Sequence, residues 1–395
     1  MASLPPSPCS LPRDALYEIL LRLPAKDLCR LRAVCPEWRS LLSDPRFVAA
    51  HAIRHPGPLI VAGYERPKEG IICDILDLSG RVVMRIPAQE GVRRVMSIQL
   101  NLICTEKRMT LDCQLLNPVT RAVCALPEGF AKEHAQKRGI FDHKVFLSFG
   151  KAPLTGECKV LRILDNLSDI RPKQLCEIFT LGGKDSQWRK KKAPEDIVYL
   201  GCCKSVVMDG IVYFLSYLDG CIASFNLHTE VWSKALHGPL SSLADGDSTL
   251  KRSWPHLSMA TLNGCLVVVH HSEASIDLWF LMDLDKGLWV KQHSIPPIPI
   301  SYRSVISPLS VLDDGRIVLM EMEGQGVIRT YNPRSNTLAD IAVLGSCVAV
   351  GKTFYISTTL PLQFLLRLRP LVPAELLDLS LLKLLDFQLF SYFAV

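Results

Sequence analysis

The sequence lacks long hydrophobic runs and lacks any cysteine pattern that binds zinc. No stretch of eighteen or more consecutive apolar residues occurs, which argues against a membrane-spanning helix. The fourteen cysteines are scattered, without a Cys-x-x-Cys pair, so we expect reduced thiols and no metal site. The opening MASLPPSPCS has no charged segment followed by an apolar run. We therefore expect a flexible leader over residues 1–10 and a cytoplasmic or nuclear protein.

The sequence also lacks a large excess of positive or negative charge. The formal net charge is +6 and the basic residues are spread along 395 positions, which predicts no nucleic-acid partner. One basic run stands out, at residues 188–192 (WRKKK). We interpret it as a solvated loop, with a nuclear-import patch or a contact for an acidic partner as the alternatives.

The first structured segment is a helical module within residues 11–42. Leu16, Ile19, Leu20 and Leu23 follow the i, i+3, i+4, i+7 spacing of one helix face. Three short helices in about thirty residues bury little apolar surface, so a module of this size usually needs a partner to complete its core.

The next residues predict where these helices begin and end. Pro24 ends the first helix, Asp27 can cap a second that carries Leu28 and Leu31, and Pro36 suits the first turn of a third. The third helix would carry Trp38, Leu41 and Leu42.

This module resembles an F-box. The similar positions are Leu11, Pro12, Asp14, Leu16, Ile19, Leu20, Leu23, Pro24, Leu28, Leu31, Val34, Cys35, Trp38 and Leu41. The resemblance implies docking to a Skp-type adaptor, and through it to a cullin, by the apolar members of that set: Leu11, Pro12, Leu16, Ile19, Leu20, Leu23, Pro24, Leu28, Leu31, Val34, Trp38 and Leu41. Pro36-Glu37 departs from the family, in which many members carry a basic residue before the tryptophan. We expect the F-box domain to span residues 11–55.

A β-rich segment follows Pro56-Gly57-Pro58. Short apolar runs alternate with turns that begin with Asp or Asn, at residues 76–80, 116–120, 225–229, 282–286 and 331–335. Each predicts a hairpin between the third and fourth strands of a blade, and a degenerate copy is expected near residues 158–179. Asp-Gly or Asn-Gly between apolar runs, as at Asp209-Gly210 and Asn263-Gly264, predicts further hairpins.

A repeat of about 50 residues with four strands each is typical of a β-propeller. We therefore predict an α plus all-β multidomain protein, with a β-propeller-like domain of about six blades over residues 59–357. This segment resembles the F-box-associated and kelch-like domains of plant F-box proteins. A pair of β-sandwiches or an irregular barrel is the alternative fold.

The last segment, residues 358–395, does not resemble another blade. It contains fourteen leucines, and near-helical spacing after Pro373 predicts an amphipathic helix. A shortened last blade before this atypical tail would leave the propeller ring open.

No catalytic pattern is complete. GSCVAVGKT at residues 345–353 has five residues between its glycines where a phosphate-binding loop has four, so we read residues 348–356 as a strand hairpin. His270 and His271 are adjacent, so in a strand they face opposite sides without a third ligand. We expect no cofactor and no enzyme.

The family resemblance implies the substrate-recognition subunit of a Skp-cullin-F-box ubiquitin ligase whose β domain binds an unknown target protein. The alternative is a propeller enzyme or small-molecule sensor with the helices as a structural cap, because fold alone does not decide function.

Overall fold

The computed structural model describes most of the chain in segments. These are residues 13–23, 28, 31–54, 59–66, 70–86, 92–99, 102–107, 112–117, 122–135, 143–166, 173–183, 187–200, 204–216, 221–239, 257–298, 305–312, 314–322, 325–353 and 369–370.

Helices occupy the N-terminal part. They are α1 Arg13–Arg22, α2 Pro36–Ser43 and α3 Pro45–Arg54, with a short α4 Lys132–Ala135 between two blades further on. Leu28 and Leu31 are also helical, as predicted, and Pro36 opens α2. Asp27 lies outside the described residues.

Twenty-four strands make up the rest of the described chain. They are β1 Leu59–Arg66, β2 Gly70–Leu76, β3 Val82–Ile86, β4 Val92–Gln99, β5 Leu102–Lys107, β6 Asp112–Leu116, β7 Ala122–Ala125, β8 His143–Lys151, β9 Cys158–Asn166, β10 Lys173–Thr180, β11 Arg189–Lys191, β12 Ser205–Met208, β13 Ile211–Leu215, β14 Ile222–Asn226, β15 Val231–Leu236, β16 Leu257–Leu262, β17 Cys265–His271, β18 Ile276–Asp283, β19 Leu288–Ile295, β20 Ile306–Val311, β21 Ile317–Glu321, β22 Gln325–Asn332, β23 Thr337–Thr353 and β24 Arg369–Pro370.

These strands form a six-bladed β-propeller, as predicted. Blade 1 is β4–β7, blade 2 is β8–β11, blade 3 is β12–β15, blade 4 is β16–β19 and blade 5 is β20–β23. Blade 6 combines the end of β23 with β1, β2 and β3. All neighbouring strands are antiparallel, so each blade is a four-stranded meander.

The ring is closed by the 17-residue strand β23. Its first half pairs with β22 as the outer strand of blade 5, where Leu338 lies opposite Tyr331. Its second half pairs with β1 as the inner strand of blade 6, where Val350 lies opposite Ala62. Blade 6 therefore has all four strands, and the expectation of a shortened last blade is wrong.

Gly345 marks the point where β23 passes from one sheet to the next. A Cβ atom at this residue would clash with the carbonyl oxygen of Glu65 in β1, so only glycine permits the approach. The glycine pair that resembles a phosphate loop thus lies in one continuous strand. Residues 348–353 belong to β23, and the predicted hairpin over residues 348–356 is wrong for the part that the structure describes.

Apolar clusters between neighbouring blades form the core. Six such clusters occur, one between each adjacent pair of blades. The cluster between blades 5 and 6 includes Ile60, Tyr64, Val318 and Ile328, all at most 4% exposed. The interface between blades 5 and 6 is thus formed by buried apolar side chains, like the other five interfaces.

Four of the five predicted turns between third and fourth strands are confirmed, and the one at residues 116–120 lies mostly outside the described residues. Asp77, Asn226, Asp283 and Asn332 each accept a hydrogen bond at Oδ1 from a backbone N–H two or three residues later, over 2.8–3.0 Å. Asn263 and Gly264, at φ 50° and 75°, join the first and second strands of blade 4. The expected copy near residues 158–179 holds β9 and β10 instead, the second and third strands of blade 2.

Three tryptophans connect each of three successive blades to the one before it. The indole N–H of Trp188 donates to Pro127 O at 2.7 Å, that of Trp232 to Lys192 O at 2.9 Å, and that of Trp289 to His237 O at 2.9 Å. Each acceptor lies in the connection that leads out of the preceding blade. An apolar residue followed by tryptophan thus occurs at the start of both β15 (Val231-Trp232) and β19 (Leu288-Trp289), and in both strands the tryptophan binds the preceding blade.

Buried charges connect blades 1 and 2. Glu177, fully buried in β10, accepts hydrogen bonds from Arg162 Nε at 2.9 Å and from Ala131 N at 2.9 Å. His134 Nδ1 lies 2.6 Å from the same carboxylate, and Arg162 stacks over the Trp188 ring at 3.9 Å. The charged groups are satisfied by one another, as burial requires.

The tail predictions fall almost wholly outside the described residues. Only Arg369 and Pro370 are described, as β24, which pairs antiparallel with β7 at the outer edge of blade 1. The predicted helix after Pro373 lies beyond them.

Candidate adaptor-docking surface

The helical module has a small core of its own. Its buried side chains are Leu20, Leu21, Leu28, Leu31, Leu41, Leu42 and Phe47, each at most 8% exposed. They come from α1, the helical residues Leu28 and Leu31, α2 and α3. This core holds the helices together and decides which apolar residues remain outside.

The structure divides the predicted docking residues into two groups. Leu20, Leu28, Leu31 and Leu41 lie inside the core, so they support the module. Leu16, Leu23 and Trp38 contact the core but keep part of the side chain at the surface, and Ile19 is also half-buried. Val34 is 49% exposed. Leu11, Pro12 and Pro24 lie outside the described residues.

Val34 is held at the surface by the turn that precedes α2. Its N–H donates to Leu31 O at 3.1 Å, which closes the helical turn before it. Cys35 then caps α2, with its Sγ accepting from Trp38 N at 3.4 Å. The result is an exposed aliphatic side chain on a backbone fixed at both ends.

Glu37 occupies a position that suits an acidic residue. It lies in the first turn of α2, where the helix dipole favours negative charge. Hydrogen bonds from its own backbone N–H and from the Cys35 thiol lower the pKa of this exposed carboxylate. The departure from the basic residue of many F-boxes thus has a local stabilising cause.

Helix α3 contributes contacts that the sequence patterns did not identify. Phe47 is 1% exposed and packs edge-on against Tyr17, with ring centroids 5.1 Å apart. His51 Nε2 lies 2.8 Å from Leu23 O, at the end of α1. Phe47 and His51 are four residues apart and so lie on the same face of α3, a spacing that can be seen in the sequence.

The basic run is not a solvated loop, contrary to our prediction. Trp188 is buried, and Arg189–Lys191 form β11, the outer strand of blade 2. Arg189 and Lys191 bind the Glu230 carboxylate at 2.7 and 2.6 Å. The positive charge is therefore partly neutralised within the propeller.

Glu230 is the centre of this ion cluster. Burial alone would raise its pKa, but hydrogen bonds from Lys159, Lys191 and Arg189 outweigh burial and lower the pKa to about 2. Because Lys159 and Arg189 belong to blade 2 and Glu230 to the turn after β14, the cluster joins blades 2 and 3.

The buried cysteines are unsuited to thiolate chemistry. Burial raises the pKa of Cys73 and of Cys176 to about 12, and it raises that of Cys104 well above its usual value. Since the thiolate is the reactive form, these groups are protonated core thiols at neutral pH.

The described part of the chain offers neither a cluster of metal ligands nor a helix of membrane-spanning length. No three His, Cys, Asp or Glu side chains there converge closely enough to hold a metal ion. None of the described helices is both long and apolar enough to cross a bilayer. His270 and His271 lie in β17, where His271 is buried and His270 is half-buried.

Two family models match the chain at the places where these elements lie. The F-box domain matches residues 8–49, and the F-box associated beta propeller domain matches residues 68–353. The chain belongs to the plant-type F-box proteins. The first match extends into α3, and the second runs from the connection between β1 and β2 in blade 6 to the last residue of β23.

Related proteins of Arabidopsis thaliana agree with this family. The F-box protein is 26% identical to the F-box/LRR-repeat protein At2g43260, over 71% of this chain and 66% of that protein. It is 24% identical to the F-box/kelch-repeat protein At2g43445 over 78% and 74%, and 25% identical to the F-box protein At4g19940 over 85% and 86%. The chain thus spans just under two thirds of the length of the first of these relatives.

Proposed function

We propose that this F-box protein is the substrate-recognition subunit of a Skp-cullin-F-box ubiquitin ligase. The helical module docks a Skp-type adaptor and the propeller binds the target protein. Other subunits carry out ubiquitin transfer, so the contribution of this chain is to hold the target close to them. The family assignment supports the general role, and the apolar side chains that the module leaves partly exposed support docking there.

The exposed aliphatic side chain of Val34 carries the docking proposal. It is fixed between a closed helical turn and the cap of α2. A rigid, apolar surface position loses little conformational entropy on binding. Leu16, Ile19 and Leu23 also keep part of the side chain at the surface, and we propose that they belong to the same docking surface.

Val34 is a sharper test than a core leucine. An acidic residue in place of Leu20, which is 0% exposed, would unfold the module and abolish binding for a trivial reason. Val34→Asp introduces the charge on a side chain that already contacts water. We expect a loss of adaptor affinity of tenfold or more, because the interface would have to desolvate a carboxylate.

The experiment is a pull-down and titration of a purified Skp-type adaptor with the full chain. The matched control is Val231→Asp, the same change at a 59% exposed valine in β15 of the propeller. Unchanged melting temperatures would show that both variants fold. If Val34→Asp binds the adaptor as tightly as Val231→Asp does, this docking surface is wrong.

A further inference from the structure

An apolar ledge projects from the outer hairpin of blade 4. We define the β18–β19 ledge by the side chains of Met282, Leu284, Leu288 and Val290. All four are between 42 and 52% exposed, although they lie within nine residues of one another. Four of the ten large hydrophobic side chains exposed in the described part of the chain are therefore in one hairpin.

The ledge lies on an edge strand. In the sheet order of blade 4, β19 is the outermost strand and β18 is its neighbour. Val290 lies opposite the buried Phe280, and Leu288 is two residues away on the same strand face. Leu288 and Val290 thus alternate along β19, and the outer backbone edge of this strand has no neighbouring strand in the described part of the chain.

Two of the three acidic side chains of the hairpin are paired with lysines, and Asp285 in its turn has no ion pair in the described part of the chain. Lys286 binds Asp283 at 3.1 Å, and Lys291 binds Asp277 at 3.2 Å. Burial lowers the pKa of His293, so this ring is neutral at pH 7. Strand β19 therefore carries no unpaired charge, and a neutral strand is complementary to an uncharged ligand, since a charged one would lose hydration without gaining a partner.

The size of the ledge argues for a peptide segment over a second copy of the chain. Four half-exposed side chains offer only a few hundred Å², whereas a stable dimer buries about 800 Å² on each partner. A strand added to a sheet edge gains main-chain hydrogen bonds in addition to its side-chain contacts.

The same chain already shows strand addition at an outer blade edge. In blade 1, β24 pairs antiparallel with the outer strand β7, with Arg369 opposite Val123 and Pro370 opposite Ala122. The outer edge of a blade in this propeller thus accepts a fifth strand.

We propose that the β18–β19 ledge binds an extended, uncharged segment of the target protein. The segment adds to β19 as a fifth strand and places apolar side chains, spaced two residues apart, against Leu288 and Val290. This inference rests on the proposed function, because it assigns the target-binding role of the propeller to one edge.

The test uses a library of random twelve-residue peptides displayed on phage and selected on the full chain. We expect the enriched peptides to carry apolar residues at alternate positions, few charges and no proline in that stretch. Synthetic peptides from the selection are then titrated by fluorescence anisotropy. The double variant Leu288→Thr/Val290→Thr keeps strand-forming residues and should bind at least tenfold more weakly.

The control variant is Val231→Thr, which makes the same type of change at the corresponding edge of blade 3 and should leave peptide affinity unchanged. Failure to enrich any peptide, apolar residues at helical spacing, or equal binding by the double variant would each overturn the proposal. Adaptor binding measured on the same samples separates this failure from failure of the proposed function. The double variant should still bind the adaptor, whereas Val34→Asp should not.

Discussion

Glu177→Gln should be among the most damaging single changes in the propeller. The carboxylate is completely buried and neutralises Arg162, whose own side chain is 1% exposed. Glutamine has nearly the same size and keeps an acceptor for Ala131 N, so the change removes charge with little change in packing. It leaves the Arg162 guanidinium buried without a counter-ion.

The expected loss in the free energy of unfolding is about 3–5 kcal/mol, the range for removing one partner of a buried ion pair. Glu195→Gln is the control, because Glu195 pairs with Lys192 at 2.9 Å while both side chains are about 80% exposed. An exposed pair of this kind contributes little to stability, because water and salt screen it. The two variants remove the same charge and differ mainly in burial.

The assay is urea unfolding followed by tryptophan fluorescence. Trp188 lies 3.9 Å from the Arg162 guanidinium and should report the opening of this site. The double variant Arg162→Met/Glu177→Leu should lose much less stability than the two single changes added together, because it removes both desolvation costs. A Glu177→Gln variant within about 0.5 kcal/mol of the wild type, or additive single changes, would refute the reasoning.

Three other changes test separate contacts. Glu230 has a folded pKa of about 2, below its unfolded value near 4.5, so its stabilising effect is present above pH 4.5 and is lost as pH falls toward 2. Glu230→Gln should therefore flatten the acid dependence of the melting temperature in that window, and an unchanged slope would contradict the ion cluster. Trp232→Phe should lower stability by about 1 kcal/mol through loss of the bond to Lys192 O, and no change in urea midpoint would contradict that contact. Ala62→Pro should cost about 1–3 kcal/mol, because β1 is paired on both edges and the change removes a ladder hydrogen bond, and a wild-type melting curve would argue against closure through β1 and β23.

Local chemistry was enough to predict the turns and the helices. Asp77 and Asn226 mark their turns because an Asx side chain binds backbone N–H groups only a few residues away. Pro36 marks the start of α2 for an equally local reason, its fixed φ angle. Six blades follow from repeating such local signals at a regular spacing.

Features that depend on distant partners were predicted wrongly. Arg189–Lys191 resembles a loop in composition, yet it forms a strand because an outer strand needs one neighbour and can direct its charges to Glu230. The hairpin expected after Val348 is a continuous strand because its partner β1 lies almost 290 residues earlier. No window of nearby sequence contains that information.

The docking surface shows the same limit. Leu20 and Val34 are both apolar and fit the same family pattern, but only the packing of α3 and α2 decides that one is buried and the other exposed. The role of the full set of twelve residues in adaptor binding stays a prediction.

The shared strand β23 also bears on how the protein is made. Blade 6 begins with β1 at Leu59 but receives its inner strand only when residues 346–353 have been synthesised. At about 5–20 residues per second, translation of the intervening chain takes roughly 15–60 s. During that interval β1 would present an unpaired edge. Until then β1 has only β2 as a neighbour, so closure of the ring must be the last step of folding during synthesis.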